Sequence, residues 1–291
     1  MIVTVTLNPA LDLTYAVPSL VPHGTHRVST VTERPGGKGL NVARVLHALG
    51  EPVLATGILG GAAGTRVTDL LAGDGVAASF VPIAGETRRT VAVVDPSDAT
   101  GFWEPGPTIT PAEWSGFQDH FRSLLTGATV VTLCGSLPPG LPLDAYGTLV
   151  RLASTAGVPS VLDTSGPALR HGLRAAPAVV KPNADEVDDA GGLLDRAGAV
   201  VLSRGADGLL ARTAEGVWSC APATVVTGNP TGAGDACVAA LARGLRDGTP
   251  WPDLLADAVA LAAAAVAAPV AGAIDPIVYR RTRDRVTAVG A

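Results

Sequence analysis

The stretch best suited to chemistry is Asn229-Pro230-Thr231-Gly232-Ala233-Gly234-Asp235-Ala236-Cys237. It runs a glycine-rich turn into Val238, Leu241, Ala242 and Leu245, which recur at helical spacing before Gly248 ends the pattern. Such a turn leaves backbone N–H groups unpaired at the positive end of the helix dipole, which makes an anion site. Asp235 adds a carboxylate to that first turn. It serves there either as a favourable N-terminal charge or as a general base beside a phosphate. In the second case the amides hold the transferring group while the carboxylate takes a hydroxyl proton. A second cue is compositional: of 21 basic residues only Lys38 and Lys181 are lysines, and both are worth following.

Neither glycine-rich segment is a familiar nucleotide fingerprint. Gly36-Gly37-Lys38-Gly39-Leu40-Asn41 lacks the Ser/Thr after lysine and the spacing of a phosphate-binding P-loop. No G-x-G-x-x-G follows a strand with an acidic residue about 20 positions on, so a dinucleotide fold is disfavoured. Asn229-Pro230-Thr231 carries proline in its middle position and is no glycosylation signal.

Positioning these groups requires a scaffold, and the chain spells one out. Strand-like runs at 2–7, 53–59, 129–133, 160–163, 179–181 and 200–203 alternate with helix-period segments. One helix carries an apolar stripe of Val42, Val45, Leu46 and Leu49; another carries Leu143, Tyr146, Leu149, Val150 and Leu152. Strand–helix alternation predicts a parallel sheet covered on both faces. Two stretches break the rhythm. Residues 13–34 are polar, alternating and helix-poor, and residues 87–103 read as a hairpin around Asp95-Pro96-Ser97-Asp98. They are expected either to meet as a small β-rich lid or to be two unrelated surface excursions.

An apolar fraction of 47%, a charged fraction of 16% and a net charge of −5 exclude a disordered chain, a coiled coil and a collagen-like repeat, and argue against a nucleic-acid partner. Cys134, Cys220 and Cys237 lack metal-ligand or disulfide spacing and read as reduced packing residues. The N-terminus alternates like a strand and lacks a basic signal-peptide start. The uncharged run at 258–274 is interrupted by Pro269 and flanked by Asp257 and Asp275, so a buried helix is expected there and not a membrane span. These points imply a cytoplasmic protein without a membrane partner. The five histidines are scattered and take no role.

Five segments in a fixed order carry a resemblance. Gly36-Gly37-Lys38-Gly39-Leu40-Asn41 and Thr231-Gly232-Ala233-Gly234-Asp235 bracket Gly135-Ser136-Leu137-Pro138-Pro139-Gly140, Lys181-Pro182-Asn183-Ala184-Asp185-Glu186 and Ser203-Arg204-Gly205-Ala206-Asp207-Gly208. The chain resembles the ribokinase/PfkB carbohydrate kinases over nearly its whole length. Leu7-Asn8-Pro9-Ala10-Leu11-Asp12 and the Gly-Ser-Leu-Pro-Pro-Gly segment resemble the branch acting on phosphosugars, which includes 1-phosphofructokinase and tagatose-6-phosphate kinase. The resemblance implies an α/β three-layer sandwich with a mostly parallel central sheet and a small β lid. The main domain would comprise residues 1–8, 36–86 and 105–291, and the discontinuous lid 9–35 and 87–104.

It also implies roles. Asp235 matches the catalytic base, and Gly232, Ala233 and Gly234 match the anion hole. Asn183 and Glu186 match an element that holds Mg²⁺ through water, although the same pair could instead cap a helix. Lys181, Asn183, Ser203, Gly205 and Gly208 match the nucleotide side. Asp12, Gly37, Lys38 and Asn41 match the sugar side, and Arg27, Arg88 and Ser136 match the grip on a phosphate already on the substrate. The implied activity is ATP- and Mg²⁺-dependent phosphorylation of a ketohexose monophosphate, fructose 1-phosphate or tagatose 6-phosphate, to a 1,6-bisphosphate. Ala92, where 1-phosphofructokinases often carry lysine, leans toward the tagatose branch, and Thr25 weakens a match to the minor 6-phosphofructokinase. The segment between Lys181 and Ser203 is shorter than the family pattern. Rival expectations are a kinase of an unphosphorylated sugar or nucleoside, and a non-catalytic sugar-phosphate sensor. A homodimer formed through the lid is expected.

Overall fold

The computed structural model describes residues 1–184, 193 and 196–290. Its large sheet has ten strands. Seven of them run parallel, in the order β5 (Ala78–Pro82), β4 (Val53–Leu59), β1 (Ile2–Thr6), β8 (Val130–Cys134), β9 (Ser160–Asp163), β10 (Val179–Val180) and β11 (Ala199–Ser203). β12 (Leu209–Thr213), β13 (Gly216–Cys220) and β14 (Val289–Gly290) extend it antiparallel. The six expected strands are all present. β10 is the shortest of them, because Pro182 follows Lys181 and supplies no N–H to prolong the ladder.

Helices cover both faces. α1 (Lys38–Ala48), α2 (Gly61–Gly73), α6 (Ala233–Asp247) and α7 (Trp251–Ala267) share one core, and α3 (Pro111–Leu125), α4 (Ala145–Thr155) and α5 (Gly166–Gly172) share the other. Strand β1 serves both, with Ile2 in the first core and Val3 and Val5 in the second. That is why all five of its residues are buried, Thr4 and Thr6 included. The uncharged run expected as a buried helix is α7, which starts earlier, at Trp251, and stops at Ala267 ahead of Pro269. Leu143 is the exception among the expected stripes: α4 begins only at Ala145, so Leu143 precedes the helix and is exposed. Cys134, Cys220 and Cys237 are buried and unpaired, as their spacing implied. Among the described residues no helix is long and apolar enough to cross a membrane.

The two irregular stretches meet. β2 (Ala10–Ala16) and β3 (Thr30–Gly36) combine with β6 (Arg88–Val94) and β7 (Ala99–Trp103) in a separate four-stranded sheet of order β3-β2-β6-β7. β2 and β6 pair parallel, setting Asp12 beside Thr90, while β2 and β3 pair antiparallel, setting Asp12 opposite Arg34. The expected hairpin turn is closed by Asp95, whose Oδ1 accepts from the amides of Ser97 and Asp98 at 2.8 and 3.2 Å.

Strand order reverses between β1, which leads toward β4 and β5, and β8, which leads the other way. In open α/β sheets ligands bind outside the carboxyl ends of the strands at such a point. Asn8, Ser136, Asp163, Lys181 and Ser203 all stand at or just past those ends.

Candidate active site

α6 begins at this edge with Gly232 as its N-cap, at φ 90° and without a side-chain cap. Glycine is needed there: the conformation is left-handed, and a Cβ would stand 3.0 Å from the Cα of Ala271. The Ala233 N–H donates to the Pro230 carbonyl at 3.2 Å, so the amide of Ala233 is already committed within the turn. Among the described residues the N–H groups of Gly232, Gly234 and Asp235 have no such partner and remain open at the helix start. An anion cradled at this turn would be met by the amides of Gly232, Gly234 and Asp235, and not by that of Ala233.

Asp235 is buried in the first turn of α6, and its Oδ2 accepts from Asn41 Nδ2 at 2.8 Å. Asn41 reaches it because α1 starts tight against β1. A Cβ on Gly39 would stand 2.4 Å from Thr6 Oγ1 and 2.7 Å from the Val5 carbonyl, so only glycine allows this approach. Burial, and then the neighbouring Asp163 charge, push the Asp235 carboxyl up to about 6, against the opposing pull of Asn41, Lys38 and Lys181. A carboxylate tuned near neutrality can take a proton and release it again.

Asp163 was not foreseen as a site residue. It ends β9, is almost wholly buried, and its Oδ1 receives Lys38 Nζ at 3.2 Å and Lys181 Nζ at 3.5 Å, while its Oδ2 has no partner. The two lysines differ in exposure, 41% for Lys38 and 5% for Lys181. Burial pulls both ammonium groups toward neutrality, but Asp163 and Asp235 outweigh it and hold them above the ordinary lysine value. The Lys181 side chain also borders the cradle, since a Cβ on Gly234 would lie 3.5 Å from its Nζ. The sequence cue for Asp163 was an acidic residue closing a buried parallel strand.

A cavity of about 1050 Å³ opens beside these groups. Its polar wall includes Lys38, Lys181, Asn183, Ser203, Gly205 and Gly208, and its apolar wall includes Val225, Val259 and Val266. Charged groups at one end and apolar side chains at the other suit a flat heterocycle carrying phosphates. The five residues expected on the nucleotide side are therefore gathered. Asn183 offers a hard oxygen donor on that wall, bridging to Ser203 through its backbone. Glu186 lies outside the described residues, as does most of the shortened segment between Lys181 and Ser203. Among the described residues no three His, Cys, Asp or Glu side chains gather as a metal cluster. An amide oxygen on the polar wall of an open cavity fits a Mg²⁺ that keeps most of its water.

On the small sheet, Asp12 accepts from Thr90 Oγ1. Burial raises its carboxyl above the usual range, with Thr90, Arg88 and Arg44 pulling it back. Arg88 donates through Nε to the Asn8 carbonyl at 3.1 Å, and Asn8 Nδ2 donates to Ser136 Oγ at 3.1 Å. Asn8, also unforeseen, therefore ties Arg88 to Ser136. Gly37 caps α1 at φ 115°, just before Lys38. Arg27 is not drawn in: it is exposed, in the loop between β2 and β3.

The chain matches the model of the pfkB family carbohydrate kinases over residues 5–277. Its fold is similar to crystal structures of phosphofructokinase-2 from Escherichia coli. The potassium complex of that enzyme superposes with a TM-score of 0.91 at 28% identity, covering 97% of this chain and 98% of that one. Its complex with fructose-6-phosphate gives a TM-score of 0.89 at the same 28% identity and the same coverage of 97% and 98%. A protein of Thermotoga maritima described as a possible 1-phosphofructokinase gives 0.89 at 27% identity, covering 100% of this chain and 99% of that one.

Proposed function

The chain belongs to the pfkB family of carbohydrate kinases, and from that premise we propose that its acceptor is a ketohexose monophosphate, fructose 1-phosphate or tagatose 6-phosphate, converted with ATP to a 1,6-bisphosphate. One observation carries this reading: Asp235, raised to about 6 and held by Asn41, stands in the first turn of α6 beside its open amides, and Asp12, Arg88 and Ser136 would furnish the acceptor side. The similarity to a phosphofructokinase-2 that binds fructose-6-phosphate supports a phosphorylated acceptor.

In the reaction, Asp235 accepts the proton of the acceptor hydroxyl as its oxygen attacks the γ-phosphorus. The bond from that phosphorus to the departing ADP oxygen breaks, and charge on the equatorial oxygens is met by the amides of Gly232 and Gly234 and by Lys181. Positioning and charge neutralisation supply nearly all the catalysis such a transfer needs. Mg²⁺, held through water by Asn183 with Glu186, would neutralise the nucleotide phosphates. Ser203, Gly205 and Gly208 border the nucleotide. Asp12, Gly37, Lys38 and Asn41 would position the sugar, and Arg88 and Ser136 would meet its existing phosphate, without Arg27.

The four-stranded sheet acts as the lid over the acceptor and excludes water that would otherwise hydrolyse ATP. Phe102 and Trp103 on its edge strand β7, and Val31 on β3, are exposed, and a second copy of the chain would cover them. Sedimentation should then report a dimer at working concentration, and a monomer would end that part of the reading.

The deciding experiment compares kcat/KM for fructose 1-phosphate, tagatose 6-phosphate, fructose 6-phosphate and the two parent sugars, with ATP and Mg²⁺. Preference for a ketohexose monophosphate by at least tenfold is expected. Equal or better turnover of an unphosphorylated sugar would overturn the acceptor assignment.

A further inference from the structure

Among the described residues, Arg34 on β3 has no counter-ion. Along β3, neighbouring side chains point to opposite faces. Glu33 faces α2, where its Oε2 accepts from Arg66 Nε at 2.6 Å. Arg34 must therefore face the other way, onto the face that carries its cross-strand partner Asp12, and beyond it Thr90 and Arg88. On that face Arg34 feels Arg44 as a like charge, which lowers the Arg44 guanidinium's affinity for its proton after burial has done the larger part. Arg44 has its own counter-ion, Asp74 at 2.9 Å, and donates to the Ala271 carbonyl at 3.0 Å. Arg34 has neither: among the described residues it makes no hydrogen bond or ion pair, and its Nε is buried without a partner.

A half-buried guanidinium beside a second arginine is costly unless an anion completes it. The carboxylate opposite it across the ladder, Asp12, is already bonded to Thr90. We propose that Arg34 is a specificity-determining residue that binds the anionic group of the acceptor, so that Arg34 and Arg88 flank the Asp12 strand as a pair of cations from β3 and β6. The ligand class is a phosphorylated or otherwise anionic sugar. Asp12 would hold a hydroxyl of the same molecule, and the planar fork of Arg34 would take two oxygens of its phosphate. The proposal rests on the phosphosugar reading above and deepens it. It also shifts weight from Arg27, exposed in its loop, to a residue fixed by strand register.

The test is a matrix of KM values for wild type, Arg34→Ala and Arg34→Lys, each with ketohexose monophosphates and with the parent sugars. Arg34→Ala should raise KM for the phosphorylated acceptor at least tenfold, leave KM for ATP unchanged, and leave turnover of the parent sugar within twofold. Arg34→Lys should recover part of the loss. Arg34→Gln, which keeps a long stem and an N–H donor, carries the same comparison if the alanine variant does not fold. A wild type that prefers parent sugars overturns the phosphosugar reading, and the role of Arg34 with it. A wild type that prefers the phosphosugar, beside a folded Arg34 variant with the same preference, overturns the assignment of Arg34 alone.

Discussion

Lys38 and Lys181, the only lysines in the sequence, converge on one atom, Asp163 Oδ1, at 3.2 and 3.5 Å. One comes from the first turn of α1 and the other from the end of β10, so a single buried carboxylate fixes the spacing of two cations on different elements. Removing its charge leaves two ammonium groups facing each other. Asp163→Asn should therefore destabilise the protein by about 3–5 kcal/mol, the usual penalty for orphaning a buried ionic partner, as read by urea unfolding.

The same substitution has an electrostatic consequence at a distance. Asp163 is one of the charges that raise Asp235. With it gone, and both lysines freed to act on Asp235, the acidic limb of the kcat/KM profile should move to lower pH. A limb that stays in place would dissociate the two carboxylates.

In the unaltered enzyme, Asp235 must be ionised to accept a proton, and its carboxyl titrates at about 6. The kcat/KM value should be level above pH 7 and fall about tenfold per unit below pH 6. Asp235→Asn should lower kcat by orders of magnitude while nucleotide affinity measured by calorimetry is retained. Undiminished turnover by this variant would remove Asp235 as the base.

Asp235 should also cost stability. Its carboxyl is raised in the folded state above the unfolded value of about 3.9. The native state is therefore favoured by this group below pH 4, and that advantage is lost as pH rises through about 6. Asp235→Asn imitates the protonated form and keeps an oxygen for Asn41. At pH 8 it should gain roughly 2–3 kcal/mol, or a few degrees in Tm, and the gain should vanish near pH 4.

Lysine identity should matter unequally. Lys181 is buried against the cradle and Lys38 is part-exposed. A guanidinium is too large and too rigid for the buried position. Lys181→Arg should reduce kcat more than tenfold, and Lys38→Arg less than threefold, in steady-state assays at saturating ATP.

Much of this was legible in the residues. The strand at 160–163, the helix after Asp235 and the β character of the two irregular stretches follow from local pattern, because burial and turn chemistry act over a few residues, whereas the pairing of those stretches was left open. Asp163 escaped because its meaning is not local: it becomes a site only when Lys38, 125 positions away, and Lys181 arrive at the same edge. Asn8 escaped for the same reason, being read as part of a motif while its work is to join Arg88 to Ser136. Arg34 could be noticed only through register, since one step along β3 separates a residue that meets α2 from one that meets the acceptor side.

The small sheet grows directly out of the large one. β1 ends at Thr6, β2 starts at Ala10, and β3 hands the chain at Gly36 straight to α1. Asp12 and Arg88 thus ride on the small sheet and Asp235 on the body of the large one, and four crossings would serve as pivots: residues 7–9, Gly37, residues 83–87 and residues 104–110. On the proposed reading the two sheets would act as the jaws of a caliper. A rotation about those pivots would change the gap between Asp12 and Asp235, while the start of α6 stayed put. Acceptors of different length would be gauged by how far the jaws can shut, and stiffening the three-residue pivot should narrow the range of sugars admitted.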